Sequence, residues 1–310
     1  MDPPEHGRFR RMLTKEFMVK KVSDLRPHIQ KLCDELIDKA LKKGPPCELV
    51  EDMFLPLTSQ VVSDMLGVPY KDHDFFQEQS RLKVLIDCDP EIPKEASKRI
   101  LDYLDKLITI KEQNPSLDDM LGRLIIEQVC PGHLSHRELV VLADLLLMAG
   151  HETTANQLAL GVYSLLTNPD QLKLVREDPS KMRNAVDEML RFHSIVHFNG
   201  FRTAKEDVEV NGQLVRKGEA VIALVAAANR DPAAFENPDA FDITRKVDHH
   251  VAFSYGIHQY LGQPLARAEL QMMITRLFER IPTLKFAVPV EEIKAKDHFV
   301  LGLEALPVTW

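Results

Sequence analysis

The sequence predicts a mainly α-helical fold with a small β part. Apolar residues recur at helical spacing through the first two-thirds of the chain, and glycine is sparse, 13 of 310 residues. After Gly200 the texture changes to short alternating segments punctuated by turn residues. The spacing predicts helices over 7–20, 22–43, 49–66, 70–84 and 92–113, with stops at Gly44-Pro45-Pro46 and Val68-Pro69.

The best-defined helix opens at Ser135. Ser135-His136-Arg137-Glu138 fits a capping box, and the pattern then runs to Thr167, where Asn168-Pro169 ends it. Such a helix is about 48 Å long. Apolar on most sides, it is expected to cross the middle of the molecule. A further helix is predicted over 179–193. Val208-Glu209-Val210, Asn211-Gly212 and Gln213-Leu214-Val215 read as a hairpin, which Val221 to Ala228 is expected to extend. Residues 229–260 have no period, and a loop of that length in a compact domain usually has a task. Leu261 to Ile281 reads as helix, Phe299 to Val308 as a closing strand pair, and Asp118-Asp119 as ordinary helix surface.

Composition narrows the function classes. Hydrophobic residues make up 45% and charged residues 28%, as in a soluble globular protein. A net charge of −8, with no Lys/Arg block, argues against a nucleic-acid partner. Cys33, Cys47, Cys88 and Cys130 form no C-x-x-C pair and read as free thiols. The start, Met1-Asp2-Pro3-Pro4-Glu5-His6, is not a signal peptide. The apolar run from Leu139 to Gly150 contains Asp144 and is too short to span a bilayer. The expectation is one domain over 1–310, cytoplasmic, with no membrane anchor.

Four segments carry more than composition. The long helix holds Ala149-Gly150-His151-Glu152-Thr153-Thr154, and the next major helix holds Glu188-Met189-Leu190-Arg191. The irregular loop holds Asn229-Arg230-Asp231-Pro232 and Phe235-Glu236-Asn237-Pro238-Asp239-Ala240-Phe241-Asp242. Then comes Phe253-Ser254-Tyr255-Gly256-Ile257-His258-Gln259-Tyr260-Leu261-Gly262, followed by Pro264-Leu265-Ala266-Arg267. Singly each is weak; an E-x-x-R on a helix is usually a surface ion pair. In this order and spacing they resemble the I helix, K helix, meander and iron-ligand loop of the cytochrome P450 superfamily. Asp2 to Arg10 resembles that family's C helix. The likeness covers essentially the whole chain, and is greatest to the soluble bacterial and the soluble fungal nitric-oxide-reducing members.

The resemblance implies a P450 fold from the C helix onward, without the usual N-terminal β-sheet region and with one wall of the substrate pocket open. It implies haem, a hydrophobic small-molecule ligand and a redox partner. It assigns His6, Arg10, Arg202 and His258 to the haem propionates, which need cationic partners. It gives Glu152 and Thr153 proton delivery at the iron, and Gly150 and Phe253 contact with the cofactor. It ties Glu188 and Arg191 to the meander as a structural pair. His193 and His197, which border the family's substrate pocket, are expected in core or surface roles.

Two positions depart from the family's loop pattern. Ser254 stands where the family has glycine. Tyr260 stands where the family has the iron-binding cysteine. Thiolate pushes electron density onto iron and favours O–O cleavage, whereas tyrosinate ligates haem in catalase-type proteins. The implied outcome is a haem protein, with Tyr260 or no protein ligand at the metal, showing peroxidase-like or no turnover. His249, His250 or His258 would be substitute ligands if the loop moves.

A haem-free enzyme is a second reading. The apolar pocket would take a terpenoid or diphosphate substrate, Glu152 would act as general acid or base, and the basic set would grip phosphate. No D-D-x-x-D motif supports metal-dependent ionisation. A non-catalytic auxiliary that activates a partner enzyme is a third. His151-Glu152-Thr153-Thr154-Ala155 lacks the second histidine of a zinc H-E-x-x-H, and no nucleotide-binding glycine loop is present.

Overall fold

The computed structural model describes residues 1–85, 88–296 and 300–310. Helix α1 spans Glu5–Thr14 and α2 Val19–Lys43. The short strand β1, Cys47–Glu48, leads through a π-helical turn into α3, Leu55–Leu66. Helices α4 (His73–Lys83), α5 (Glu91–Gln113) and α6 (Met120–Leu124) follow, and then α7, His136–Thr167. Helices α8 (Pro169–Glu177) and α9 (Met182–His193) lead into the β part.

Helix α7 starts where the sequence indicates. Ser135 accepts from the Glu138 amide, and the Glu138 carboxylate accepts from the Ser135 N–H at 2.7 Å, so two orphan donors are met. Arg8 of α1 also bonds Glu138 and so ties the two helices together. Its middle and C-terminal half are buried almost all round, from Thr154 to Val162. Near its N-terminus, however, Val141 and Leu145 stay about half exposed, 51% and 50%.

Strand β2, Phe198–Thr203, is followed by the hairpin of β3, Val208–Val210, and β4, Gln213–Val215. The hairpin forms as expected: Asn211 and Gly212 both adopt positive φ, 49° and 79°, as a tight turn requires. The segment after it does not extend the hairpin. Strand β5, Ala220–Leu224, pairs instead with β2, and Val225–Ala228 winds into a helical turn, α10. The Ala226 amide bonds the His197 carbonyl, which turns the chain away from the sheet.

Residues 229–260 are loop apart from a 3-10 turn at Gly256–His258, and α11 runs Gln263–Arg280. Strand β6, Lys285–Phe286, and β7, Pro307–Thr309, close a small sheet with β1. The expected closing pair beginning at Phe299 is found only in part. Phe299 lies outside the described residues, Ala295 and Leu303 make an isolated bridge, and β7 pairs with β1 and β6.

Two further expectations need correction. The predicted first helix breaks at Met18, which is extended, after a 3-10 turn that buries Glu16 and Phe17. Arg123 meets the buried Glu16 at 2.7 Å. Asp119 is not helix surface: it caps α6 by accepting from Gly122 and pairs with Lys111 at 2.6 Å.

The E-x-x-R pair is a buried node. Arg191 donates two bonds to Glu188, at 2.7 and 2.8 Å, and both side chains are fully buried. Its remaining N–H groups donate to the carbonyls of Asn229, Pro238 and Ala240, while Glu188 accepts from the Asp242 amide. Arg191→Ala would leave the buried Glu188 carboxylate without its bidentate partner and the Asn229 and Pro238 carbonyls without this donor, at a cost of about 3–5 kcal/mol. Loss of a cooperative thermal melt is the expected result, read by circular dichroism. A soluble variant with an unchanged melt would contradict the structural role.

Candidate functional site

Two adjoining cavities lie beneath α7. The inner one, about 250 Å³, is lined by Ala149, Thr153, Thr154 and Gln157 from α7, by Leu190 and Ile195, and by Ala252 and Phe253 of the long loop. The outer one, about 950 Å³ and more open, has an apolar floor of Phe9, Leu13, Leu142, Leu145 and Leu146. Ala149, His258 and Tyr260 line both, so Tyr260 stands between them.

The four basic side chains expected together are together. His6 and Arg10 project from α1, Arg202 from β2 and His258 from the 3-10 turn, all in the outer wall. The rings of His6 and His258 lie 4.1 Å apart. Burial, then the charges of His6 and Arg202, hold His258 below its ordinary pKa. Among the described residues Asp2 is the one carboxylate in that wall, and Lys205 lies 4.0 Å from it. A cluster of positive groups above an apolar floor suits a flat or elongated apolar molecule with anionic ends.

Tyr260 closes the loop through its amide, which bonds the Phe253 carbonyl at 2.8 Å. Its ring stacks on Phe253 with centroids 5.8 Å apart. The phenol folds over Gly262: a Cβ there would lie 2.6 Å from the hydroxyl oxygen. Burial first, and then the Glu269 carboxyl, push the phenol pKa up to about 12, so the group is neutral at neutral pH. Phe253 itself lies under the Arg267 guanidinium, 4.7 Å from its ring centre, and Asp187 holds that arginine at 2.7 Å.

Two residues expected at the cofactor are elsewhere. Glu152 lines neither cavity; it pairs with Lys296 at 3.4 Å, and Lys296 also bonds Asn156 at 3.3 Å. Gly150 serves helix packing, since a Cβ there would come 3.0 Å from Val62 of α3. Ala149 is the small residue at the cavities. Thr153 does line the inner cavity, but its hydroxyl donates to the Ala149 carbonyl at 2.7 Å, a bond within its own helix.

Sequence reasoning missed three buried or partnered groups. Gln157 lines the inner cavity, and the only signal for it was its place four residues after Thr153. Lys296 had none. Glu269 is fully buried, its Oε2 has no partner among the described residues, and burial raises its pKa well above the carboxylate range. His193 bonds Ser164 at 2.7 Å, a core role as expected. The cysteines are free thiols as expected, with Cys33 and Cys47 buried. No group of metal-ligating side chains occurs among the described residues, and no helix there is long and apolar enough to cross a membrane.

The fold and site thus define a helical protein whose long central helix roofs a slot with an apolar floor and a cationic rim. The family profile of cytochrome P450 matches residues 1–306, and the chain belongs to that family. The chain is 46% identical to cytochrome P450 105A3 of Streptomyces carbophilus, covering all of this chain and 75% of the relative. It is 47% identical to pentalenic acid synthase of Streptomyces avermitilis, covering 77% of that protein. Among solved structures it is similar to mycinamicin VIII C21 methyl hydroxylase of Micromonospora griseorubida bound to mycinamicin VIII. That match has a TM-score of 0.95 at 40% identity and covers all of this chain and 79% of the other.

Two predictions follow from the geometry of the site. Ser254 has φ +63°, in the left-handed region that costs a residue with a side chain about 1–2 kcal/mol. Ser254→Gly is therefore expected to raise the melting temperature by a few degrees; an unchanged or lower value would contradict the strain. Burial lowers the pKa of His151 and of His193 from 6.5 to about 4. Between those values the unfolded chain binds more protons, so stability falls as pH falls. Urea midpoints are expected to drop across that window, and less steeply in His193→Gln.

Proposed function

We propose that this chain is a haem-binding P450 that acts on a hydrophobic small molecule in secondary metabolism, with oxygen chemistry altered by Tyr260. The observation that carries this is the cluster of basic side chains, His6, Arg10, Arg202 and His258, on the rim of an apolar slot. Two propionates are the counter-charges that such a rim suits, so the residues fit the porphyrin's periphery. The relatives' names point the same way: one is a pentalenic acid synthase and another a mycinamicin VIII C21 methyl hydroxylase. That favours hydroxylase-derived chemistry over nitric oxide reduction.

The residue at the iron position does not supply a thiolate. A neutral phenol folded over Gly262 would have to swing into the slot and lose its proton, against a pKa near 12, before it could ligate. Haem, when bound, would supply one-electron and oxygen chemistry. The chain's own part is narrower. Arg10 and Arg202 would hold the propionates, and Leu142 and Leu146 would exclude water. The Thr153 hydroxyl holds its proton on the Ala149 carbonyl. Glu152 must leave Lys296 before its carboxyl can exchange protons with Thr153. A redox partner belongs to this reading.

The folded-back phenol also favours a second reading, in which the slot takes a different amphiphile and no haem. Glu152 is then a poor general acid or base for the ligand, because it lines neither cavity.

The test is the ultraviolet–visible spectrum of protein expressed with added haem, with extraction to count haem per chain. A Soret band without the thiolate-type carbon monoxide shift is expected, and Tyr260→Cys should gain that shift. Arg10→Ala combined with Arg202→Ala should weaken haem retention by about tenfold or more, two charge-assisted contacts being lost. No haem in either form would sink this reading in favour of the second.

A further inference from the structure

The start of α7 and the end of α5 meet at a histidine held between two acids. His136 is the first residue of α7. Its Nδ1 lies 3.0 Å from both carboxylate oxygens of Glu112, and its Nε2 lies 3.1 Å from Oδ1 of Asp105. Both acids belong to α5. A carboxylate oxygen only accepts, so each contact needs an N–H on the ring. Neutral imidazole has one N–H and imidazolium has two, so only the charged ring satisfies both acids. Burial pulls the pKa of His136 down, but the bonds to Glu112 and Asp105 outweigh it and hold it above the ordinary 6.5. Glu138, two residues on, is taken by Ser135 and Arg8, and Lys111, beside Glu112, is taken by Asp119. The His136 side chain is 33% exposed, so its proton exchanges with solvent.

This contact fastens a turn that the core does not hold. Ile108 is the last buried residue of α5, and Ile110 beyond it is 64% exposed. Lys111 ties the last turn to Asp119 at the cap of α6, and Glu112 ties it to α7. The α7 side is fixed independently, by the Ser135 capping box and by Arg8 of α1. When the ring loses a proton, one of its nitrogens turns a lone pair toward a carboxylate oxygen, and the contact becomes repulsive. We propose that His136 is a pH-operated latch: while its ring carries both protons it clamps the last turn of α5 onto the start of α7, and mild alkali releases that turn. A histidine with a raised native pKa gives its stabilisation in full below 6.5 and loses it as pH rises through the higher native value. The release is local, because Leu104 and Ile108 keep the rest of α5 in the core.

Amide hydrogen exchange of the full chain tests the latch. Protection, corrected for the intrinsic effect of pH on exchange, is compared at about pH 6 and about pH 8.5, on either side of an imidazole held above its ordinary value. The readout is a peptide covering 109–113, with 154–162 of α7 as the reference. In the wild type, protection of 109–113 is expected to fall by at least about threefold between the two, while the reference holds. His136→Gln, which carries no charge, should show the low protection at both pH values. His136→Arg, which keeps the charge and several donors, should show the high protection at both. A proton NMR titration of the His136 ring should give a midpoint above 6.5. Equal protection at both pH values in the wild type, the same fall in His136→Arg, or a midpoint at or below 6.5 would each overturn the latch. None of these readings depends on haem, so the latch and the haem reading stand or fall separately.

Discussion

The buried pair of Glu188 and Arg191 is the constraint on which the rest of the site depends. Residues 229–260 contain no strand and little helix, and their own turns meet only part of their backbone polar groups. Arg191 meets three of those carbonyls directly, and Glu188 meets the Asp242 amide. Asn229, itself buried, accepts from the Val251 amide on its side-chain Oδ1 and donates from its Nδ2 to the Ser194 hydroxyl. Two ionised side chains would be expensive in such a place alone. Here each is bonded on every side that the loop approaches, and the loop is thereby held where Phe253 and Tyr260 meet the cavities.

The site itself is electrically lopsided. Its outer wall collects positive groups with scarcely a carboxylate. The inner wall carries neutral groups: a phenol with a raised pKa, a hydroxyl bonded to its own helix and the amide of Gln157. The one acid that the long helix offers, Glu152, is drawn to Lys296 at the C-terminal segment. That segment also bonds the cavity wall, through the Leu301 amide and the Ile195 carbonyl. Charge recognition and apolar recognition are therefore separated along the slot, with Tyr260 between them.

Much of the fold was legible because its signals are local. The capping box at Ser135 needs only residues three apart, and the Asn211-Gly212 turn needs only positive φ at two adjacent positions. The cation set was legible through the family resemblance, although its members come from α1, β2 and the loop. Other features were decided at a distance. The segment from Val221 looks like a third hairpin strand, and only the distant partner β2 decides its pairing. Gly150 and Glu152 sit in a motif suited to ligand contact, but Val62 and Lys296 arrive from elsewhere in the chain and claim them.

The sequence by itself determined the helical class, the long central helix, the E-x-x-R node and the presence of tyrosine at position 260. The helical class, the long helix and the tyrosine follow from periodicity, capping chemistry and residue order, all of which are properties of neighbours along the chain; the node follows from the family resemblance. Only the tertiary structure decided where the polar groups of α7 point and that the Tyr260 phenol lies over Gly262. A helix presents several faces at once, and which face meets a cavity, a lysine or a valine depends on elements far away in sequence.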